Sequence, residues 1–147
     1  MAGEPPHTVL MADDDLDDCM LAEEAFAESG TKAAFSCVLD GVELMDYLAE
    51  RSRVSPADLP RLILLDLSLP GADGFSILGQ IRSLEAENAL TLTPVVIFSD
   101  SQTAADITRS YRCGANSYIM KPLSFLDFRA VVKAVGQYWM THNRTCS

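Results

Sequence analysis

The stretch RLILLDL, Arg61–Leu67, contains the most apolar run in the chain. Its four consecutive aliphatic residues, Leu62–Leu65, predict a β-strand that is covered on both faces, as strands are in the middle of a parallel sheet. Asp66 ends the run, and a carboxylate at the end of a buried strand costs free energy unless it is solvated or paired. The stretch therefore predicts a central strand with a polar site at its carboxyl end.

Short apolar runs alternate with amphipathic segments on both sides of this strand. Further strands are predicted at 8–12, 34–39, 94–99 and 116–120, and helices at 15–28, 41–50, 73–86, 102–112 and from 124 onward. Helical spacing in the first helix gives one apolar face with Leu16, Cys19, Met20, Phe26 and Ala27. Such alternation is typical of an α/β fold, with a doubly wound five-stranded parallel sheet and helices on both of its faces.

The composition limits the classes of protein to which the chain can belong. The chain has 147 residues, of which 48% are hydrophobic and 22% charged, and this predicts one globular domain rather than a disordered chain. We expect the domain at 8–141, with an N-terminal tail at 1–7 and a C-terminal tail at 142–147. A net charge of −10 weighs against nucleic acids and anionic membranes as direct partners, because phosphate neutralisation dominates nucleic-acid affinity.

A cytoplasmic location is predicted. The start MAGEPPHTVL lacks the basic and long apolar regions of a signal peptide, and no apolar run approaches the roughly 20 residues that span a bilayer. The sequence contains no C-x-x-C pair, and its four cysteines are scattered at Cys19, Cys37, Cys113 and Cys146. They are therefore predicted to be reduced thiols, some of them buried.

Polar residues follow four of the predicted strands. Asp13 and Asp14 come after the first strand, Asp66 ends the third, Ser99 the fourth, and Lys121 follows the fifth. Because ligands bind beyond the carboxyl ends of strands in open parallel sheets, we expect these side chains to share one pocket. Three neighbouring carboxylates repel one another unless a cation relieves the repulsion, and Mg²⁺ prefers such hard oxygen ligands.

Asp66 is the candidate nucleophile in this pocket, because it ends the most apolar strand and is held rigidly. A carboxylate can attack a phosphoryl group and form an acyl phosphate. Mg²⁺, the Lys121 ammonium and the Ser99 hydroxyl can then stabilise the phosphoryl oxygens. Considered alone, Ser99 is also explained as a turn residue and Lys121 as a surface lysine, so the prediction depends on the whole set.

The acidic segment MADDDLDD, 11–18, also has an explanation without a metal. Carboxylates near the start of a helix are stabilised by the helix macrodipole. Asp15, Asp17 and Asp18 are interpreted in this way, and Asp13 and Asp14 considered alone fit the same explanation. On this division, replacement of Asp18 is expected to leave Mg²⁺-dependent phosphorylation nearly intact.

Four motifs carry a resemblance to a known family: MADDD (11–15), LILLDLSLPGADG (62–74), PVVIFSD (94–100) and GANSYIMKP (114–122). With them the chain resembles the receiver domains of bacterial response regulators, the phosphoacceptors of two-component signalling, from Thr8 to Met140. The resemblance implies a flavodoxin-like (βα)5 fold with strand order 2-1-3-4-5. A narrower likeness is to the stand-alone receivers that pair with phytochrome-type histidine kinases.

The resemblance implies a role for each residue of the acidic pocket. Asp66 is similar to the phosphorylated aspartate of the family. Asp14 resembles its direct Mg²⁺ ligand and Asp13 the partner that often acts through water. Ser68 matches the position whose backbone carbonyl ligates the metal.

The resemblance also implies a conformational switch. Ser99 is similar to the switch hydroxyl, Tyr118 to the switch aromatic residue, and Lys121 to the family lysine, with a cis bond to Pro122. Asp100 departs from the family, in which the residue after the switch hydroxyl is usually small. A carboxylate at this position narrows access to the acceptor or orients an attacking water, so it bears on the lifetime of the phosphoryl group.

The implied function is that of a phosphoacceptor rather than a classical enzyme, with self-catalysed phosphorylation and autodephosphorylation. A histidine kinase or a phosphotransfer protein donates the phosphoryl group to Asp66. The output is contact with a downstream protein, or self-dimerisation, through the face formed by 102–140. The main alternative is a receiver-shaped binding module that signals without phosphorylation. A dehalogenase-like phosphatase is disfavoured because Asp66-Leu67-Ser68 lacks the second acid of a D-x-D motif.

Overall fold

The computed structural model describes residues 8–54, 59–88 and 93–143. The strands are β1 Thr8–Ala12, β2 Ala34–Val38, β3 Leu62–Leu65, β4 Val95–Ser99 and β5 Ser117–Met120. The helices are α1 Leu16–Glu28, α2 Gly41–Val54, α3 Gly74–Asn88, α4 Ala104–Arg112 and α5 Phe125–Gln137, which a π-helical turn continues at Tyr138–His142. Each predicted element is present, with ends shifted by a few residues. None of the described helices is long and apolar enough to span a bilayer.

The five strands form one parallel sheet in the order β2-β1-β3-β4-β5, which confirms the predicted order 2-1-3-4-5. In the centre of the sheet, Leu65 of β3 pairs with Ala12 of β1 on one side and with Ile97 of β4 on the other. Because all strands run in one direction, their carboxyl ends meet at one edge. The residues that follow them are therefore brought together by the topology alone.

Two hydrophobic layers cover the sheet, and β3 contributes to both. Ile63 and Leu65 pack in the layer with α2 and α3, whereas Leu62 and Leu64 pack in the layer with α1 and α5. All four of these side chains are at most 2% exposed. The prediction of a central strand covered on both faces is thus confirmed.

The buried face of α1 differs from the apolar face that its spacing suggested. Leu16 and Met20 are 60% and 63% exposed. The side chains that α1 buries are those of Cys19, Ala22, Ala25 and Phe26. Small alanine side chains let the helix lie close to its neighbours in the layer shared with α5. Packing against the sheet and α5 therefore sets the rotation of α1, which buries Cys19 and Phe26 of the predicted face and leaves Leu16, Met20 and Ala27 exposed.

The cysteine prediction is wrong for one pair. The sulfurs of Cys19 in α1 and Cys37 in β2 are joined in a disulfide, with their Cα atoms 6.4 Å apart. Sequence spacing gave no sign of this pair because the two residues meet only when α1 folds over β2. Cys113 is a free cysteine, as predicted, and Cys146 lies outside the described residues.

Candidate acidic site at the sheet edge

The ends of β1 and β3 carry two aspartates side by side. Ala12 pairs with Leu65, so Asp13 and Asp66 are the next residues on the two strands. The Asp66 amide donates to the Ala12 carbonyl at 3.0 Å, which extends the ladder by one residue. Asp13 is 1% exposed and Asp66 is 5% exposed. Two carboxylates are therefore buried next to each other at the predicted position.

Each of these carboxylates has one oxygen bound by its own loop. Asp13 Oδ1 accepts a hydrogen bond from the Asp15 amide at 2.9 Å, and Asp66 Oδ1 accepts one from the Ser68 amide at 2.9 Å. Local bonds of this kind, from a backbone amide two residues ahead, orient an aspartate side chain. The other oxygen of each carboxylate, Oδ2, contacts the lysine described next.

Lys121 enters the same pocket from the end of β5. Its amide donates to the Ser99 carbonyl at 2.7 Å, and the residue is 5% exposed. Its ammonium lies 2.5 Å from Asp13 Oδ2, 2.8 Å from Asp18 Oδ2 and 3.1 Å from Asp66 Oδ2. One cation therefore links three carboxylates from three parts of the chain. These four residues are called the charged cluster below.

The charged cluster contains more negative than positive charge. Burial raises the pKa of Asp13 to about 6, although the contact with Lys121 and the bond from the Asp15 amide act in the opposite direction. Burial alone would lower the pKa of the Lys121 ammonium, but its contacts with Asp13 and Asp18 raise that pKa overall. The two pKa shifts have different main causes, burial at Asp13 and contact with carboxylates at Lys121. Counted as ions, the cluster has three carboxylates and one ammonium. The site therefore favours a second cation.

Three carboxylates in the pocket fit a metal ion. Asp13, Asp14 and Asp66 each offer an oxygen within 4.8 Å of the others, and Asp14 is exposed at the rim. Asp13 Oδ2 is buried without a well-aligned hydrogen bond, because its contact with Lys121 is an ion pair only. A hard divalent cation suits such a set of oxygens. Ser68, the predicted carbonyl ligand, is exposed in the loop beside Asp66.

The predicted switch residues meet at a residue that the sequence did not single out. Ser99 Oγ accepts from the Ser101 amide at 3.3 Å, and the Tyr118 hydroxyl donates to the Ser101 carbonyl at 2.6 Å. The Ser101 hydroxyl donates in turn to Asp106 Oδ2, in the first turn of α4, at 2.5 Å. Ser99, Ser101, Asp106 and Tyr118 are called the hydroxyl chain below. No local pattern marks Ser101, because its role arises from the course of the β4–α4 loop.

The interpretation of Asp15, Asp17 and Asp18 as acids at the start of a helix is confirmed for Asp15 and Asp17 and incomplete for Asp18. Asp15 caps α1, and its side chain accepts from the amides of Asp17 and Asp18. Asp17 is exposed in the first turn. Asp18 occupies the same turn but also contacts the Lys121 ammonium. No local signal in the sequence distinguishes Asp18 from Asp17, because the contact with Lys121 joins parts of the chain that are 103 residues apart.

One expectation at the end of β5 is wrong. The described residues contain no cis peptide bond, so the bond from Lys121 to Pro122 is trans. The trans form is also the one favoured in general, by about 0.5–1 kcal/mol before proline.

Comparisons with known proteins give a family and similar folds for this chain. The family model of the response regulator receiver domain matches residues 9–133. The chain is 35% identical over 145 residues to the probable methanogenesis regulatory protein FilR2 of Methanothrix harundinacea, an alignment that covers 99% of this chain and 91% of FilR2.

Two solved structures are similar over nearly the whole chain. The phosphorylated cyanobacterial phytochrome response regulator RcpA superposes with a TM-score of 0.86 at 33% identity, covering 97% of this chain and 100% of that one. The Mn²⁺-bound form of the response regulator Rcp1 superposes with a TM-score of 0.84 at 26% identity, with the same coverage.

Proposed function

This chain belongs to the response regulator receiver domain family of two-component signalling, and we propose that it accepts a phosphoryl group on Asp66. The donor is a phosphohistidine of a histidine kinase or of a phosphotransfer protein. The observation that carries this proposal is the Asp66 carboxylate itself, which is buried, oriented by the Ser68 amide, and 3.1 Å from the Lys121 ammonium. The pathway of the relative RcpA suggests a kinase of the phytochrome type.

The transfer step needs a carboxylate oxygen with a free lone pair and a fixed direction. Asp66 Oδ1 accepts from the Ser68 amide and Oδ2 from the Lys121 ammonium, and we propose Oδ2, the oxygen beside the lysine, as the attacking atom. A bond forms between Oδ2 and phosphorus while the phosphorus–nitrogen bond of the phosphohistidine breaks. The electron pair leaves with the imidazole, which takes up a proton, and Asp66 becomes an acyl phosphate. Receiver domains are phosphoacceptors rather than classical enzymes, and we propose that this one assists its own phosphorylation and dephosphorylation.

Lys121 and Ser99 complete the acceptor site in this proposal. Because the Lys121 ammonium already contacts Asp66 Oδ2, it is close enough to follow the phosphoryl oxygens once they are attached there. Ser99 is 1% exposed at the end of the neighbouring strand β4, and its hydroxyl can donate to another of these oxygens. Positioned donors of this kind are the main protein contribution to phosphoryl transfer.

Mg²⁺ is the cofactor we propose, held by the carboxylates of Asp13, Asp14 and Asp66 and by the Ser68 carbonyl. When bound, such an ion neutralises charge on the phosphoryl oxygens. The chain prepares this site by burying Asp13 and Asp66 and leaving Asp14 at the solvent edge. Manganese occupies the relative Rcp1 in one crystal form, which supports a divalent cation here.

The proposed output is a change of protein contacts on the face formed by 102–140. A Ser99 hydroxyl that turns toward the phosphoryl group can no longer accept from the Ser101 amide, and Tyr118 is bonded to the same loop residue. Asp106 carries the change into α4. A full reversal from 1:99 to 99:1 between two conformations requires about 5.5 kcal/mol, a size that new charge–charge contacts can approach. The partner is a downstream protein or a second copy of the chain.

The domain boundaries and location are part of the same proposal. The receiver unit spans 8–141, with tails at 1–7 and 142–147, and acts in the cytoplasm. Most of both tails lies outside the described residues.

The alternative is a binding module of the same shape that signals without phosphorylation. Asp100 favours it, because this exposed carboxylate directly follows Ser99 and repels an incoming phosphoryl group. The acidic pocket weighs against the binding module, because it brings together Asp13, Asp14, Asp66 and Lys121. A module that signals without phosphorylation has no need for that arrangement.

Intact mass measured after incubation with acetyl phosphate distinguishes these functions. We expect one added phosphoryl group in Mg²⁺, lost on treatment with hydroxylamine, and absent in EDTA and in the Asp66→Ala variant. No adduct, either with acetyl phosphate or with a panel of histidine kinases, would exclude the phosphoacceptor role and favour the binding module.

A further inference from the structure

We propose that Asp18 is a positioning residue for phosphoryl transfer: it holds the Lys121 ammonium beside Asp66 while Asp13 serves the metal ion. The inference deepens the proposed function and rests on it. Asp18 Oδ2 accepts from Lys121 Nζ at 2.8 Å, a contact between the first turn of α1 and the end of β5.

The geometry explains why a third carboxylate is useful. The Lys121 ammonium donates hydrogen bonds to Asp18 and Asp66 and forms an ion pair with Asp13. Asp13 and Asp66 also belong to the carboxylate set that fits a metal ion, whereas Asp18 does not. Asp18 is therefore the one carboxylate of the charged cluster that is not also a candidate metal ligand.

A bound metal ion changes the surroundings of Lys121 in two ways. Asp13 Oδ2 cannot keep its 2.5 Å ion pair with Lys121 unaltered while it ligates a cation. The new positive charge also repels the ammonium. A flexible four-carbon side chain needs a fixed partner to stay in place under these conditions, and Asp18, which is outside the carboxylate set that fits a metal ion, provides one.

Asp18 is itself well fixed. Its amide donates to the Asp15 cap at 3.2 Å, and the macrodipole of α1 favours a negative charge in this turn. Its side chain is 23% exposed, so part of its hydration is retained. Asp17 has the same charge in the same turn but is exposed and does not contact Lys121 among the described ion pairs. It is therefore a matched control for the loss of one negative charge.

The first measurement is the rate of phosphorylation by acetyl phosphate at saturating Mg²⁺ for the wild type, Asp18→Asn, Asp18→Glu and Asp17→Asn. Asp18→Asn removes the charge that holds the Lys121 ammonium, and we expect a loss of about 10-fold, the size that follows from weakening one hydrogen bond to a charged group. Asp18→Glu should recover part of the rate, and Asp17→Asn should stay within about twofold of the wild type. Equal rates for Asp18→Asn and Asp17→Asn would overturn the inference.

The second measurement does not depend on phosphorylation. The ¹⁵N resonance of the Lys121 ammonium is followed by NMR with and without Mg²⁺, and Mg²⁺ affinity is measured by calorimetry in the same samples. We expect an ammonium protected from exchange in Mg²⁺ for the wild type and Asp17→Asn, and loss of that protection in Asp18→Asn at similar Mg²⁺ affinity. An ammonium that is protected equally in Asp18→Asn would contradict the inference. If the wild type shows no phosphorylation at all, the proposed function fails, while this measurement still decides whether Asp18 holds Lys121.

Discussion

The charged cluster and the hydroxyl chain lie at neighbouring strand ends but are stabilised by different interactions. In the charged cluster, buried ions contact one another directly, and one ammonium links three carboxylates. In the hydroxyl chain, the neutral side chains of Ser99 and Tyr118 meet at the backbone of Ser101, and Asp106 is the one charged member. A neutral hydrogen bond contributes about 1 kcal/mol, whereas breaking a buried ion pair costs about 3–5 kcal/mol.

The difference indicates a direction for the signal. In the proposed function, a phosphoryl group on Asp66 adds charge to the charged cluster, where breaking one ion pair costs more than one neutral hydrogen bond of the hydroxyl chain contributes. We propose that the change passes through Ser99, because it lies at the sheet edge beside the acidic pocket and bonds Ser101. The charged cluster is therefore interpreted as the receiving region and the hydroxyl chain as the responding region.

The largest expected effect is that of Lys121→Met in the charged cluster. This substitution keeps the apolar stem but leaves three carboxylates without their cation. We expect the free energy of unfolding in EDTA to fall by about 3–5 kcal/mol, as is usual when one partner of a buried ion pair is removed. Mg²⁺ should reduce this loss, because it supplies positive charge to the same oxygens. Urea unfolding with and without Mg²⁺ measures both quantities.

Lys133→Met is the matched control for that experiment. Lys133 is 41% exposed, and its ammonium is 4.0 Å from Glu28 at the surface. Surface ion pairs contribute about 0–1 kcal/mol, so the control should unfold nearly as the wild type does. A similar loss in both lysine variants would mean that burial of the charged cluster is not the source of its stability.

The next largest effect is a pH dependence of the metal-free protein. The pKa of Asp13 is about 6 in the folded state, against 3.8 for the free side chain. Between about pH 4 and pH 6, the folded state therefore binds more protons than the unfolded state. The free energy of unfolding that protonated Asp13 contributes is fully present below about pH 4 and is lost as pH rises to about 6. The loss corresponds to about 3 kcal/mol at 1.36 kcal/mol per pKa unit.

Asp13→Asn isolates this contribution, because other carboxylates titrate in the same range. The difference in unfolding free energy between wild type and variant should change with pH between 4 and 6 and level off above 6. A difference that is independent of pH would show that Asp13 is ionised throughout, in a charged cluster that Lys121 neutralises more fully than we infer.

The smallest effect is expected for Tyr118→Phe in the hydroxyl chain. It removes the 2.6 Å bond to the Ser101 carbonyl and should lower the free energy of unfolding by about 1 kcal/mol. The rate of Asp66 phosphorylation should stay within about twofold of the wild type, whereas binding of an output partner should change. A loss of phosphorylation rate much greater than twofold in Tyr118→Phe would show that the two regions do not act separately.

The sequence predicted the strands and helices well for a physical reason. Strands buried on both faces need nearly continuous apolar runs, and Leu62–Leu65 is such a run. The strand order came from family resemblance, because local patterns are the same for several orders. Convergence of Asp13, Asp66 and Lys121 then followed from the direction of the strands alone.

The errors concern properties that packing decides. Leu16 and Met20 are exposed because α1 is rotated so that Ala22, Ala25 and Phe26 are buried instead. The pairing of Cys19 with Cys37 depends on how α1 lies over β2. The contact of Asp18 with Lys121 has the same cause, since it joins α1 to β5 across 103 residues of sequence. Sequence spacing describes a helix by itself, but not its rotation against the sheet.

The most direct test is the chemical location of the phosphoryl group. Borohydride reduces an aspartyl phosphate to homoserine, and peptide mass spectrometry then identifies the reduced residue. After incubation with acetyl phosphate and Mg²⁺, we expect homoserine at position 66 alone, and none in EDTA. Homoserine at Asp13 or Asp14, or at no position, would contradict the conclusion that Asp66 is the acceptor and that its neighbours hold the metal.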